Sequence, residues 1–167
     1  MQLHFKIILL NNEKIFLVKV MQIDKLKQLR QDKNYTQEQI AKILNVKRGT
    51  YASWECGSDI IPTKQLYKLA EFYHISIDYI LNINNSYNKI KVNKDINLTE
   101  IGNNLKQIRI KENLSQAKIA KSININQSTW WAYEKGKTLV TTSTLIEINK
   151  VYNHSIDWIL GRKNLAE

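Results

Sequence analysis

The chain has 167 residues, of which 43% are hydrophobic and 24% are charged, and its formal net charge at pH 7 is +10. This length allows one ordinary domain or two small ones, and the hydrophobic content excludes wholesale disorder. The longest apolar stretch lies within residues 1–20 and is interrupted by charged residues, which argues against a membrane span or a signal peptide. We therefore expect a cytoplasmic protein whose basic charge suits a polyanion, nucleic acid before a membrane.

The residue types that carry most enzymatic and metal chemistry are sparse. Cys56 is the single cysteine, and the three histidines (His4, His74 and His154) are far apart in the sequence. This pattern predicts neither a disulfide nor a metal site, and it suits a reducing compartment. No nucleophile–base pair or glycine-rich phosphate loop is visible, so we expect no enzyme and no cofactor.

Residues 1–21 form an N-terminal extension that differs from the rest of the chain. Two apolar segments, HFKIILL and KIFLVKV, flank Asn11-Asn12-Glu13 and could form a β-hairpin. Such a hairpin could pair the protein into a homodimer or bind another protein. Alternatively, translation begins at Met21 and the preceding residues are not part of the native protein.

Residues 22–82, called copy one from here on, have apolar side chains at helical spacing. The pattern predicts five short helices and therefore an all-α domain. Thr36 and Ser76 are candidate N-caps, and Asn45 and Gly57 suit helix ends. The predicted core positions are Ile23, Leu26 and Leu29 in helix one, Ile40, Ile43 and Leu44 in helix two, and Leu66, Leu69, Ala70 and Tyr73 in helix four.

Residues 83–98 are polar and rich in asparagine, which predicts a linker, although the alternation of Ile90, Val92 and Ile96 could form a strand. Residues 99–161, called copy two, repeat copy one at an offset of 79 positions without a gap. Roughly a third of the aligned positions are identical, which indicates two copies of one unit. Residues 162–167 are predicted to be a tail.

Helix three of each copy has two chemically different faces. Tyr51 and Trp54, like Trp130 and Tyr133, are spaced to pack inward. The opposite face has no acidic residue and is rich in hydrogen-bond donors, which suits the DNA major groove. In copy one that face shows Lys47, Arg48, Gly49, Ala52 and Ser53; in copy two it shows Asn126, Gln127, Ser128, Trp131 and Ala132.

The segments LKQLRQDKNYTQEQIAKILNVKRGTYASWECG and LKQIRIKENLSQAKIAKSININQSTWWAYEKG resemble the helix-turn-helix repressors of the Cro and CI type, the XRE family. Each copy also has a similar motif near its end, SIDYIL in copy one and SIDWIL in copy two, and the resemblance covers about three quarters of the chain. It implies two tandem five-helix lambda-repressor-like DNA-binding domains. The departures are Asn45 and Asn124 where the family usually has glycine, and Thr141 where copy one has Pro62.

The same resemblance implies roles for individual residues. Gln37 and Gln116 match a glutamine that contacts a DNA phosphate. The pairs Arg30–Glu55 and Arg109–Glu134 match a structural salt bridge between helix one and helix three. In the major groove Arg48 could read guanine and Gln127 adenine, although Arg48 could instead contact only phosphate. Phosphate contact or local capping is expected for Lys47, Thr50 and Thr129, whereas Trp131 could meet a thymine methyl group, a sugar or another protein.

Taken together, these features predict a transcriptional regulator that binds double-stranded DNA. We expect it to be a repressor from a phage or mobile element. Because one chain carries two unlike reading faces, it is expected to read two unlike half-sites in successive major grooves. In one alternative, only one copy reads DNA and the other mediates dimerisation. In another, the protein is an antitoxin or protein-binding inhibitor that uses its helix-turn-helix units for autoregulation.

Overall fold

The structure, a computed structural model, describes residues 25–84, 90–91 and 95–164. Each copy folds into five helices, as predicted. In copy one these are α1 (25–32), α2 (Gln37–Leu44), α3 (Arg48–Glu55), α4 (Thr63–Tyr73) and α5 (Ile77–Ile80). In copy two they are α6 (Leu98–Lys111), α7 (Gln116–Ser122), α8 (Gln127–Glu134), α9 (Thr142–Tyr152) and α10 (Ile156–Ile159).

The helix boundaries follow from capping residues that the sequence displays. The Thr36 hydroxyl accepts a hydrogen bond from the Gln39 backbone N–H, and the Gln39 side chain accepts one from the Thr36 N–H in return. This capping box fixes the start of α2. At its end, Asn45 adopts the left-handed conformation with φ of 56°, and Asn124 matches it at 57°. Asparagine tolerates this conformation better than most side chains do, so it can replace the glycine expected at the turn.

Each copy has a core of aliphatic and aromatic side chains in which the helix-three aromatics are central. Tyr51 and Trp130 are fully buried. One predicted core residue is misplaced: Ile43 is 44% exposed, and Ala41 takes its position in the buried stripe of α2. The reason is geometric, because Ile40, Ala41 and Leu44 share one arc of the helix surface and Ile43 lies outside that arc.

The two copies pack against each other through reciprocal hydrogen bonds. The Thr63 hydroxyl donates to the Val140 carbonyl oxygen at 2.7 Å, and the Thr142 hydroxyl donates to the Ile61 carbonyl oxygen at 2.6 Å. Thr142 lies 79 positions after Thr63, and Val140 lies 79 positions after Ile61. Matching residues therefore exchange matching contacts, which is the pattern of an isologous dimer interface within one chain.

A second reciprocal contact joins α5 and α10. The Asp157 carboxylate accepts hydrogen bonds from the backbone N–H groups of Ile77 and Asp78, at 3.0 and 2.9 Å. In return, the Asp78 carboxylate accepts from the Ile156 N–H at 2.8 Å and from the Ser155 hydroxyl at 2.5 Å. Each aspartate thus caps the helix of the other copy, and both are buried. Buried caps of this kind satisfy backbone groups that the interface would otherwise leave unpaired.

One contact breaks this symmetry. Arg162 has a fully buried side chain, and its Nε donates to Asp157 Oδ1 at 2.9 Å. Its Nη2 donates across the interface to the Ile75 carbonyl oxygen at 3.1 Å, and its guanidinium lies 4.8 Å from the centre of the Tyr67 ring. The matching position in copy one is Ile83, so this link exists once. Arg162 therefore belongs to the interface and not to a free tail.

The ends of copy two also differ from the prediction. Helix α6 begins at Leu98, inside the predicted linker, because the Asn97 side chain accepts hydrogen bonds from two backbone N–H groups of its first turn. Strand β1 (Ile90–Lys91) pairs antiparallel with strand β2 (Lys163–Asn164), so a strand does form in the linker. The predicted hairpin of residues 1–21 and the predicted core residue Ile23 lie outside the described residues. Within the described part of the chain, every helix is too short or too polar to cross a membrane.

The aspartate pair predicts a pH dependence of stability. Burial, followed by the charge of Asp157, raises the pKa of Asp78 to about 6. The unfolded chain has a pKa near ~4 at this residue, so its contribution to stability is complete below that pH and is lost as the pH rises through 6. We expect the free energy of unfolding of the wild type, relative to Asp78→Asn, to fall by about 2 kcal/mol between pH 4.5 and 7.5.

Urea unfolding of both variants across this pH range measures the difference. The Asn side chain no longer titrates, so it shifts the stability by a constant amount while removing the pH-dependent part. Asp59→Asn, at an exposed position, is the control and should follow the wild type. A difference between wild type and Asp78→Asn that stays flat with pH contradicts the prediction.

Candidate nucleic-acid interface

The helix–turn–helix of each copy places its helix three at the surface. In copy one, α2 ends at the left-handed Asn45, and α3 begins three residues later. The Val46 N–H donates to the Ala41 carbonyl oxygen at 2.9 Å and closes the turn. Because Ala41 is small and buried, α2 supports α3 closely along its inner side. Copy two repeats this arrangement, with the Ile125 N–H donating to the Ala120 carbonyl oxygen at 2.9 Å.

The outer face of α3 is polar and open. Lys47, Arg48 and Gly49 are exposed, and Thr50 and Ser53 are half-buried. An added Cβ at Gly49 would meet nothing within 4 Å, which shows how little protein lies over this part of the helix. The described side chains on this face include no acid, so its charge comes from the two cations alone.

The outer face of α8 is built differently. Asn126, Gln127, Ser128 and Trp131 are exposed, and Thr129 is half-buried. The face has hydrogen-bonding groups and one large indole, and its own residues carry no charge. A side chain from the following loop adds one cation, because Lys137 Nζ lies 4.3 Å from the centre of the Trp131 ring. The sequence pattern identified Trp131 but did not indicate Lys137.

A cluster of buried charge fixes α3 to the rest of copy one. Arg30 Nε lies 2.5 Å from Glu55 Oε1, and its Nη1 donates to the Tyr35 carbonyl oxygen at 2.7 Å. The Gln37 amide donates to Glu55 Oε2 at 2.8 Å. Burial raises the pKa of Glu55, but the hydrogen bonds from Arg30 and Gln37 outweigh it and hold the pKa below its ordinary value. The carboxylate is therefore charged and fully engaged at neutral pH.

Copy two reproduces the cluster with one addition. Arg109 Nε lies 2.5 Å from Glu134 Oε1, and the Gln116 amide donates to Glu134 Oε2 at 2.7 Å. The Trp130 indole N–H donates to the same Oε1 at 2.6 Å. Hydrogen bonds from Arg109, Gln116 and Trp130 outweigh burial and lower the pKa of Glu134. Both predicted salt-bridge pairs thus lie in contact in the structure.

The glutamines of these clusters keep one amide hydrogen for another partner. A glutamine amide nitrogen has two N–H groups, and each of these amides donates to one carboxylate oxygen. Gln37 also lines an open cleft together with Thr36 and Arg48, at the corner where α2 and α3 begin. The lining of the cleft is mixed, because it includes the acid Glu38 as well as the cations Arg30 and Arg48. No group of three His, Cys, Asp or Glu side chains that could hold a metal ion occurs among the described residues.

Comparison with known proteins agrees with this geometry. A helix-turn-helix family model matches residues 26–80, and a helix-turn-helix domain model matches residues 102–165. Together the two matches cover more than half of the chain. The chain belongs to the helix-turn-helix proteins of the Cro/CI (XRE) type. No solved structure matches it significantly.

Two curated helix-turn-helix proteins are similar to parts of the chain. One is the HTH-type transcriptional activator BcrR of Enterococcus faecalis, which is 40% identical over 58 residues, 35% of this chain and 28% of that protein. The other is the uncharacterized HTH-type transcriptional regulator YobD of Bacillus subtilis (strain 168), 35% identical over 63 residues, 38% of this chain and 56% of that protein. The chain therefore spans less than two thirds of the length of either relative.

The buried clusters predict where a single substitution destabilises this helix-turn-helix protein most. Arg30→Ala leaves the Glu55 carboxylate buried with one neutral partner, so we expect a loss of about 3 kcal/mol in the free energy of unfolding. Arg109→Ala should lose a similar amount in copy two. Urea unfolding followed by circular dichroism measures both. Arg48→Ala removes an exposed arginine and should change stability by less than about 0.5 kcal/mol; equal effects at Arg30 and Arg48 contradict the prediction.

Proposed function

We propose that this protein is a sequence-specific transcriptional regulator that binds double-stranded DNA with both helix-turn-helix units of a single chain. The observation that carries the proposal is the pair of exposed, acid-free faces of α3 and α8, presented by two copies that pack reciprocally. An α-helix is about 10–12 Å across and fits the major groove. The net charge of +10 favours association with the phosphate backbone.

Base recognition would come from the first turns of α3 and α8. Arg48 is exposed and can donate two hydrogen bonds to guanine, and Gln127 is exposed and can pair with adenine. Gln37 and Gln116 use one amide hydrogen on the buried carboxylate and can give the other to a phosphate. This arrangement couples the phosphate contact to the buried cluster, so that α3 and α8 are oriented before DNA arrives. The other residues predicted to contact the DNA backbone or the base edges are Lys47, Gly49, Thr50, Ser53, Asn126, Ser128 and Thr129.

One chain would take the place of the usual dimer. Dimeric helix-turn-helix proteins read half-sites about 34–36 Å apart in successive major grooves. Here the partner is supplied by the same chain, and the pairing groups Thr63, Thr142, Asp78 and Asp157 already bond to each other's copy. Because the two reading faces differ, the two half-sites would differ in sequence.

Repression is the regulatory outcome that this arrangement supports most directly. A chain that binds two successive grooves on one side of the duplex would exclude other proteins from them. The names of the similar proteins describe a transcriptional activator and a transcriptional regulator. Occlusion of a promoter needs only tight binding, which the two linked units supply together.

Selection from a random pool of duplexes tests the proposal. The full chain should enrich an asymmetric sequence with two parts separated by about one helical turn. Arg48→Ala should relax the preference in one part and Gln127→Ala in the other, each by about 1–3 kcal/mol of discrimination. Lys27→Ala, at an exposed position on α1, is the control and should leave the selected sequence unchanged. An enriched sequence that is a perfect palindrome, or no enrichment at all, contradicts the proposal.

The internal pairing also predicts the stoichiometry of the complex. One chain should bind one duplex that holds both half-sites, and native mass spectrometry or analytical ultracentrifugation should show a 1:1 complex. A duplex with only one half-site should also bind one chain, but more weakly, because one reader is left unused. A complex in which two chains are required for full affinity contradicts this prediction.

A further inference from the structure

Trp131 is the feature of the reading faces that packing does not explain. Its neighbour Trp130 is fully buried and donates to Glu134, whereas Trp131 is 39% exposed on the outer side of the same helix. It lies one turn after Gln127 and three residues after Ser128, so these three side chains share a face. Copy one has Ala52 at the matching position. The indole therefore extends the reach of α8 at a place where α3 has almost no side chain.

A second observation gives the indole a partner on the same surface. Lys137 Nζ lies 4.3 Å from the centre of the Trp131 ring, close enough for a cation–π interaction. The matching residue of copy one is Ser58, so both members of this pair occur in copy two alone. A cation over one face of the ring limits rotation of the side chain and leaves the remaining exposed ring surface free for a ligand.

The chemistry of the major groove identifies that ligand. The base edges display hydrogen-bond donors and acceptors, and the one apolar group among them is the 5-methyl group of thymine. An indole has a large apolar surface that makes favourable contact with a methyl group. Arg48 and Gln127 suit the polar groups of guanine and adenine, so Trp131 supplies an apolar contact that the polar residues cannot make.

We propose that Trp131, positioned by Lys137, reads the methyl group of a thymine in the half-site bound by copy two. This inference rests on the proposed function and makes it more specific. The half-site of copy two would contain a thymine close to the base read by Gln127. The half-site of copy one would depend less on a thymine at the matching place, because the methyl group of Ala52 has a much smaller apolar surface than an indole. In this scheme Trp131 determines specificity and Lys137 is a positioning residue.

The test replaces thymine by deoxyuridine, which removes the methyl group and leaves the base pairing intact. The probe is the duplex selected by the wild-type chain, with each thymine replaced in turn. For the wild type, one replacement in the half-site that depends on Gln127 should weaken binding about three- to five-fold, the ratio expected for burial of one methyl group. Trp131→Ala should bind the original and the replaced duplex equally. Because the residue is exposed, circular dichroism should show an unchanged fold for this variant.

The role of Lys137 is tested by the same measurement, the ratio of the affinities for the original duplex and for the duplex with deoxyuridine. Lys137→Ala should reduce the methyl discrimination, whereas Lys135→Ala, at a nearby exposed lysine, should lower overall affinity or its salt dependence and leave the discrimination unchanged. A purely structural or electrostatic role of Lys137 would not alter the response to a single methyl group.

The outcomes separate this inference from the proposed function. If the chain enriches a sequence but no deoxyuridine replacement distinguishes wild type from Trp131→Ala, the thymine assignment is overturned and DNA reading stands. The same holds if Trp131→Ala leaves DNA binding intact and instead abolishes binding of another protein. If the chain enriches no sequence, both proposals fail together.

Discussion

The arrangement of the whole molecule depends on reciprocal hydrogen bonds from side chains of one copy to the backbone of the other. Asp78 and Asp157 each cap the opposite short helix, and Thr63 and Thr142 each donate to a carbonyl oxygen across the interface. Helices of four residues are too short to be stable alone, so α5 and α10 depend on these caps and on packing. The interface and the last helix of each copy therefore form together. The same contacts fix how far apart α3 and α8 are held.

Within each copy, a buried carboxylate links the first three helices to one another. Glu55 and Glu134 sit at the ends of α3 and α8, and each accepts from an arginine of helix one and a glutamine of helix two. Buried charges are unfavourable unless they are fully paired, and here the pairing is nearly complete. The clusters tie three helices to one point, so the orientation of the reading helix does not rely on apolar packing alone. The glutamines therefore belong to the fold, and the phosphate contact proposed for them would use the amide hydrogen that the carboxylate leaves over.

Much of this fold could be predicted from the sequence because the relevant signals are local. Thr36, Asn45 and Ser76 act within a few residues of where they stand, and the aromatic residues of helix three occur at helical spacing. The prediction that Ile43 is buried was wrong because Ile43 lies at the edge of the apolar stripe of α2, and spacing alone does not show how much of that stripe is covered. The exposed reading faces of α3 and α8 were found by the same periodicity. Their contacts with DNA stay predictions.

The contacts between the two copies could not be predicted from such local signals, although the sequence contains the residues that make them. Asp78 and Asp157 follow Ser76 and Ser155 and could equally be acids in the first turn of their own helices. Their distinctive property is burial inside an apolar motif, which appears only when the two copies are brought together. Arg162 offered no pattern at all, because copy one has Ile83 at that position and its carbonyl partner lies 87 residues away.

The two surfaces of the molecule differ in how freely they can vary. A change of the Asp78 side chain alters the contact between the copies, because its carboxylate caps α10. A change at Ala52 or Trp131 affects one outer face and no contact between the copies. The interface contacts of the threonines and aspartates match between the copies, and Arg162 is the exception, whereas the outer faces of α3 and α8 differ in charge and in size. Two copies joined by largely matching contacts thus present two unlike outer faces, and a DNA site bound by both faces would be asymmetric.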